Sequence, residues 1–268
     1  MQSKSTEPDL AHTRRLAPTQ ETYNELQMAY DHFNERLFEG QLPSCLITLQ
    51  REKRTLGYFS AARFASVDGS TTDEIALNPT YFAVLPIIET LQTQVHEMTH
   101  LWQHHFGKPG RGRYHNEEWA RKMESIGLMP SSTGQPGGAR TGDCMADYAV
   151  EGGRFLAACQ ELLTAKFKLS WYDRFPSADH VLVGQASMAN HIQGVEGTKS
   201  PMASIPALAE VVKPTGQVFT DDAGMLTAPA NKSNRVKYTC RGCKDKISVW
   251  GKPGLKLICG ECQQSFAA

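Results

Sequence analysis

Apolar side chains recur at helical spacing over Tyr23, Leu26, Tyr30, Phe33 and Leu37, with Thr19 placed to cap the start and Gly40 and Pro43 to stop the pattern. That spacing predicts an amphipathic helix over about 20–38. The period then shortens. CLITLQ (45–50), LGYFSAARFAS (56–66) and DEIALNP (73–79) are short, apolar or aromatic, and bounded by charged or glycine-containing turns, so they read as three strands of a small sheet. Ile88, Leu91, Val95, Met98 and Trp102 restore a helical stripe that Pro86 can begin and that Gly107, Pro109, Gly110 and Gly112 break. A third helix is expected from Asn116 to Ile126, with Trp119, Met123 and Ile126 inward. CMADYAV (144–150) follows as a strand and RFLAACQELLTAK (154–166) as a further helix.

This order of helices and short strands predicts an α+β domain over 19–173. Residues 1–18 are polar, carry Pro8 and Pro18, and are expected to be disordered. Ser, Ala, Pro, Gly and Thr dominate 174–234, which reads as a linker with at most one short helix. Residues 235–268 form a separate small module. The formal charge is zero, but from Asn231 onward eight Lys/Arg face only Asp245 and Glu261, so the C-terminal end is +6 and the remainder −6. No secretory h-region and no apolar run of membrane-spanning length occurs, so the expectation is a cytoplasmic protein with no membrane partner. Oligomeric state leaves no mark in the sequence.

The second helix carries VHEMTHLWQHHFG (95–107), with His96, His100, His104 and His105. His96-Glu97-x-x-His100 places two imidazoles on one helical face, the spacing at which they chelate zinc, with a carboxylate beside them. On a helical wheel both histidines lie off the Ile88–Trp102 stripe, as ligands facing a cleft should. Zinc makes water acidic enough to act near neutral pH, and Glu97 is the candidate general base that takes its proton and later protonates a leaving amine. His100 and His104 are also four apart, but Leu101 follows His100 and brings no base. His105 falls toward the apolar side. His104 and His105 are therefore assigned packing or solvated roles.

A catalytic zinc takes three protein ligands and leaves one position open. Gln103 and Phe106 stand where the metzincin pattern needs Gly and His, so that pattern fails. His115 and the acidic pair Glu117 and Glu118 remain as candidates for the third ligand, and the residues alone leave a gluzincin arrangement through Glu117 open.

HEMTHLWQHHFGKPGRGRYHNEEWARKMESIGL resembles the SprT-like zinc metallopeptidase domain, a family that includes proteases acting on DNA–protein crosslinks. FNERLFEGQLP, EIALNP and the C-terminal cysteine module extend the resemblance over most of the chain except about 174–234. It implies a zincin-like fold of helices on a small sheet. It also implies His96, His100 and His115 as ligands of one catalytic zinc, Glu97 as general base, and Trp119 and Met123 as apolar supports. The chain departs from the family at Asn116, where glycine is usual.

Cys240-x₂-Cys243-x₁₅-Cys259-x₂-Cys262 has the spacing of a structural four-thiolate zinc site, and VKYTC, KISVWG and LKLICGECQQSF supply three short strands for a zinc ribbon. So small a segment lacks a sufficient core, and metal binding supplies the missing stability. Its basic charge and Trp250 make it a candidate DNA contact. Cys45, Cys144 and Cys159 leave an odd remainder and read as buried small apolar residues. The expected function is a zinc endopeptidase acting on protein substrates, DNA-bound or DNA-crosslinked ones included, with one catalytic and one structural zinc. The alternative is a non-catalytic zinc-binding adaptor for DNA or protein. Tyr114 and Tyr148 are candidates to stabilise an oxyanion.

Overall fold

The computed structural model describes residues 16–52, 55–165, 167–177, 179–183, 235–243 and 247–267. They form two compact units divided within 184–234, so most of the expected linker, like residues 1–15 of the expected disordered start, lies outside the described residues. The fold class is α+β.

In the first unit, α1 (Pro18–Leu37) begins at Pro18, whose missing N–H costs nothing at the first helical position. Ala17 occupies the cap position, which corrects the expected Thr19 cap: Thr19 sits inside the first turn, and Thr22 returns its hydroxyl to the Pro18 carbonyl at 2.8 Å. Leu26, Tyr30, Phe33 and Leu37 are buried as their spacing predicts, whereas Tyr23 is exposed.

The three expected strands form one sheet in the order β1-β3-β2. β3 (Thr71–Leu77) is central, parallel to β1 (Leu46–Leu49) and antiparallel to β2 (Gly57–Ala65), with Ile75 paired to both Ile47 and Phe59. β2 is an edge strand interrupted by a register shift between Ser60 and Phe64. α2 (Ile87–Phe106) packs on β2 and β3. It is tied to α1 by a buried bond from the Gln94 amide to the Leu26 carbonyl at 3.1 Å.

α3 (Glu117–Ser125) buries Trp119, Ala120 and Met123. Gly127 then turns the chain at φ 90°, where a Cβ would stand 2.8 Å from the Arg154 nitrogen, so only glycine fits both the angle and the space. A strand follows that the sequence pattern did not predict. β4 (Leu128–Ser131) pairs antiparallel with β5 (Ala146–Ala149), but LMPS is four residues long, contains Pro130 and has no polar alternation to reveal it. α4 (Arg154–Thr164) closes the unit by packing on α1, with the Phe33 and Phe155 rings stacked at 5.9 Å.

The second unit is a three-stranded sheet of β6 (Val236–Cys240), β7 (Ser248–Gly251) and β8 (Phe266–Ala267) in the order β7-β6-β8. The last strand is shorter than LKLICGECQQSF suggested, because most of that segment turns around two cysteines. Of the three remaining cysteines only Cys159 is buried. Cys45 is half-buried and Cys144 exposed, which corrects the expectation for both. Among the described residues, no helix is long and apolar enough to cross a membrane.

The Phe33–Phe155 stack joins the first and last helices of the unit. Phe155→Ala is expected to cost about 3–5 kcal/mol through the cavity it leaves. Urea unfolding of the full chain measures this, and a loss below about 1 kcal/mol would show the site collapsing freely.

Candidate metal centres

One turn of α2 separates His96 from His100, and the Gly/Pro break after Phe106 lets the chain double back so that His115 meets them. One ligand atom from each lies within 4.8 Å of the others. The His100 and His115 Nε2 atoms are 3.0 Å apart. Zn–N bonds of about 2.0–2.1 Å in tetrahedral geometry set neighbouring nitrogens about 3.4 Å apart, so the triad is close to a ligand set.

Hydrogen bonds at the far side of two rings fix which nitrogen faces inward. His96 Nδ1 is 2.8 Å from Asp147 Oδ2, and His115 Nδ1 is 3.1 Å from the Gly142 carbonyl. Both partners accept, so each Nδ1 carries the proton and each Nε2 presents its lone pair to the centre. His115 is further locked by a two-way backbone bridge to Gly142, with N···O distances of 2.8 and 3.2 Å. Beneath the cluster the Trp119 ring touches all three imidazoles, with centroid separations of 4.4 to 5.5 Å.

Electrostatics favours neutral rings at His100 and His115. Burial, with the neighbouring His96, lowers the His115 pKa to about 4, and burial also pulls His100 well below its usual value. Burial would lower His96 too, but the Asp147 hydrogen bond and the Glu97 and Asp147 charges outweigh it and the net shift is upward. Facing nitrogen lone pairs in a buried pocket repel unless a proton or cation is shared. That is the chemistry of a metal site, and the donor set is compatible with zinc.

Glu97, next to His96, is buried, and burial raises its pKa to about 7 against the opposing pull of His96. Asn116, the departure from the family pattern, is the N-cap of α3: its side-chain oxygen accepts from the Trp119 amide at 3.1 Å, and its nitrogen donates to the Lys108 carbonyl at 2.8 Å. The side chain thereby pins the loop leading into His115. Glu117 and Glu118 are turned elsewhere. Arg140 holds Glu117, and Glu118 accepts from the Lys108 amide and Gln103, so neither joins the triad.

Asp147 is the residue of the candidate site that sequence reasoning missed. It lies on β5, inside the predicted CMADYAV strand, but its partner β4 went unseen, and nothing in the spacing links residue 147 to residue 96. Gln92, one turn before His96, holds the Asp147 backbone at 2.9 Å, and Asp147 Oδ1 has no hydrogen-bond partner among the described residues. Strand alternation sets Tyr148 on the opposite face from Asp147, while Tyr114 is 43% exposed. His105, expected on the apolar side, is instead exposed and paired with Asp73 at 2.7 Å.

In the second unit the four cysteine sulfurs also lie within 4.8 Å of one another, with Cys240–Cys262 at 3.3 Å and Cys243–Cys259 at 3.8 Å. Tetrahedral Zn–S bonds of about 2.3 Å imply a sulfur spacing of about 3.8 Å. The Cys262 and Glu261 backbone amides point at the Cys259 sulfur and lower its pKa to about 7, favouring the thiolate that metals bind.

The SprT-like family model matches residues 26–136, which run from α1 through His115 and α3. A protein of Salmonella typhimurium described as "Uncharacterized protein in mucB 3'region" is 66% identical over 59 residues, which are 22% of this chain and 80% of that protein. The chain belongs to the SprT-like family. No solved structure matches it. The triad thus lies within the SprT-like segment, whereas Asp147 and Gly142, which orient it, lie beyond residue 136.

Two outcomes check the centres. Asp147→Ala is expected to weaken zinc binding about 10–100-fold, read by competition with a chromophoric chelator; unchanged affinity would remove Asp147 as an orienting group. Cys259→Ser is expected to release one zinc and collapse the amide dispersion of 235–267 in nuclear magnetic resonance spectra. Preserved dispersion would mean that the ribbon folds without its metal.

Proposed function

We propose that the chain is a zinc-dependent endopeptidase, with a catalytic zinc held by His96, His100 and His115 and a structural zinc held by Cys240, Cys243, Cys259 and Cys262. The observation that carries this reading is the joining of a three-imidazole cluster to Glu97, a buried carboxyl whose pKa of about 7 lies where a general base and acid works best. A purely structural site has no use for such a group.

Zinc supplies Lewis acidity, which makes water nucleophilic near neutral pH and polarises a carbonyl. Glu97 moves the proton. It takes one from the attacking water and delivers it to the amide nitrogen as the C–N bond breaks, leaving a carboxyl group and a free amine. Asp147 and the Gly142 carbonyl keep the imidazoles aimed, and Trp119 closes the floor beneath them.

A polypeptide substrate is supported by β2, an edge strand packed on α2, whose Phe59 backbone amide bears on the Glu97 carboxylate. An extended chain laid along that edge gains main-chain hydrogen bonds and passes the triad. Nucleic acid as a cofactor of the reaction is supported in both units. Lys108, Arg111 and Arg113 are exposed in the loop before His115, and no described carboxylate pairs with either arginine. In the ribbon, Trp250 is 66% exposed and pairs across the strands with Lys237. Positive charge beside an open aromatic face suits phosphate and base contacts. DNA-bound proteins are the substrate class this favours.

The test is cleavage of a DNA-binding protein with and without DNA. The wild type should cleave faster with DNA, and Glu97→Gln should lose about 10²–10⁴-fold in rate while keeping its zinc. Equal cleavage by Glu97→Gln would remove Glu97 from the mechanism, and zinc binding with no cleavage of any DNA-bound protein would favour the adaptor.

A further inference from the structure

A second group of metal-ligating side chains stands apart from the triad. His104 and His105 occupy the last turn of α2 and Asp73 lies on β3, and one ligand atom from each falls within 4.8 Å of the other two. We propose that Asp73, His104 and His105 bind a divalent transition-metal ion of the zinc, nickel or copper class, clipping the end of α2 to the β2–β3 hairpin.

The carboxylate is set in place before any ion arrives. Asp73 is only 7% exposed, and its Oδ1 accepts from the Ala62 amide at 2.7 Å. Ala62 lies in the register shift of β2 at φ 46°, a left-handed conformation that a non-glycine residue adopts only when its surroundings hold it there. The bulge therefore fixes one Asp73 oxygen and leaves Oδ2 directed at His105 Nε2, 2.7 Å away.

The imidazoles arrive from the helix. The His104 and His105 rings lie 4.9 Å apart, and the His104 ring also lies 5.8 Å from that of Phe59 on β2. Both histidines are exposed, so an ion has a path in and water can complete its coordination. The negative end of the α2 dipole faces the same place and favours a cation. Two nitrogens and one oxygen are a borderline donor set, which suits zinc, nickel or copper and not magnesium or calcium, whose sites are built from oxygen. An ion pair would use His105 alone. A metal ion uses both rings, and it would fasten the helix that carries Glu97 to β3, the strand that carries Asp73.

Zinc titration of the full chain with its tighter sites already filled tests the proposal. The expected result is one additional equivalent, weakened by about tenfold or more in His104→Ala and in His105→Ala separately, as loss of one of three ligands requires, and retained in His115→Ala. Both substituted positions are exposed, and circular dichroism verifies the fold. Wild-type binding in both variants would overturn the proposal. Loss in His105→Ala alone would overturn it in favour of an ion held without His104, absence of any extra equivalent in the wild type would leave only the Asp73–His105 ion pair, and loss of the extra equivalent in His115→Ala would assign that ion to the triad.

Discussion

Three imidazoles held with ring nitrogens facing one another, His100 and His115 at 3.0 Å, form an arrangement that buried protein does not adopt for its own sake. Each ring loses water, and the inward lone pairs repel. The surroundings nevertheless enforce it. Asp147 and the Gly142 carbonyl occupy the outward nitrogens, Trp119 fills the space beneath, and Asn116 pins the returning loop. Much of the first unit serves this constraint: α2 presents two rings, α3 starts where the third must stand, and the β4–β5 pair brings the two orienting groups. A shared cation turns the repulsion into binding, so a costly geometry in the folded chain becomes favourable in the metal-bound one.

The two candidate metal centres differ in their donors, and under the proposed function they would divide the work accordingly. Four cysteine sulfurs at the spacing of a closed tetrahedral site would leave no position for a substrate, so a metal bound there would serve to hold a small three-stranded unit together. Three imidazoles leave a position open. Beside them Glu97 has its pKa raised by burial, the balance that the proposed role of accepting and then releasing a proton requires.

The helices and the central sheet were legible because their apolar periods are long and uninterrupted, and the HExxH and paired-cysteine spacings were legible because ligand geometry fixes them locally. His115 was harder. From the residues alone it competed with Glu117, and the structure separates the two by giving Glu117 an arginine partner, Arg140, far in sequence. Asp147 could not be read at all, since its role depends on a β4–β5 pairing whose first strand contains a proline and shows no alternation. Thr19 failed as a cap because Pro18 starts the helix earlier, and of the packing or solvated roles expected for His105 the exposed one holds, with Asp73 as its partner. Local chemistry is written locally, whereas the groups that aim it come from wherever the chain returns.

The central claim is that His96, His100 and His115 hold one zinc and that this zinc is the catalytic one. The most direct measurement is the tightly bound zinc of purified wild type and His115→Ala by mass spectrometry, with proteolysis of a DNA-bound protein followed in the same preparations. The account predicts that His115→Ala carries one equivalent less than the wild type and cleaves nothing. An unchanged zinc content in His115→Ala, or cleavage that persists after that equivalent is gone, would contradict it.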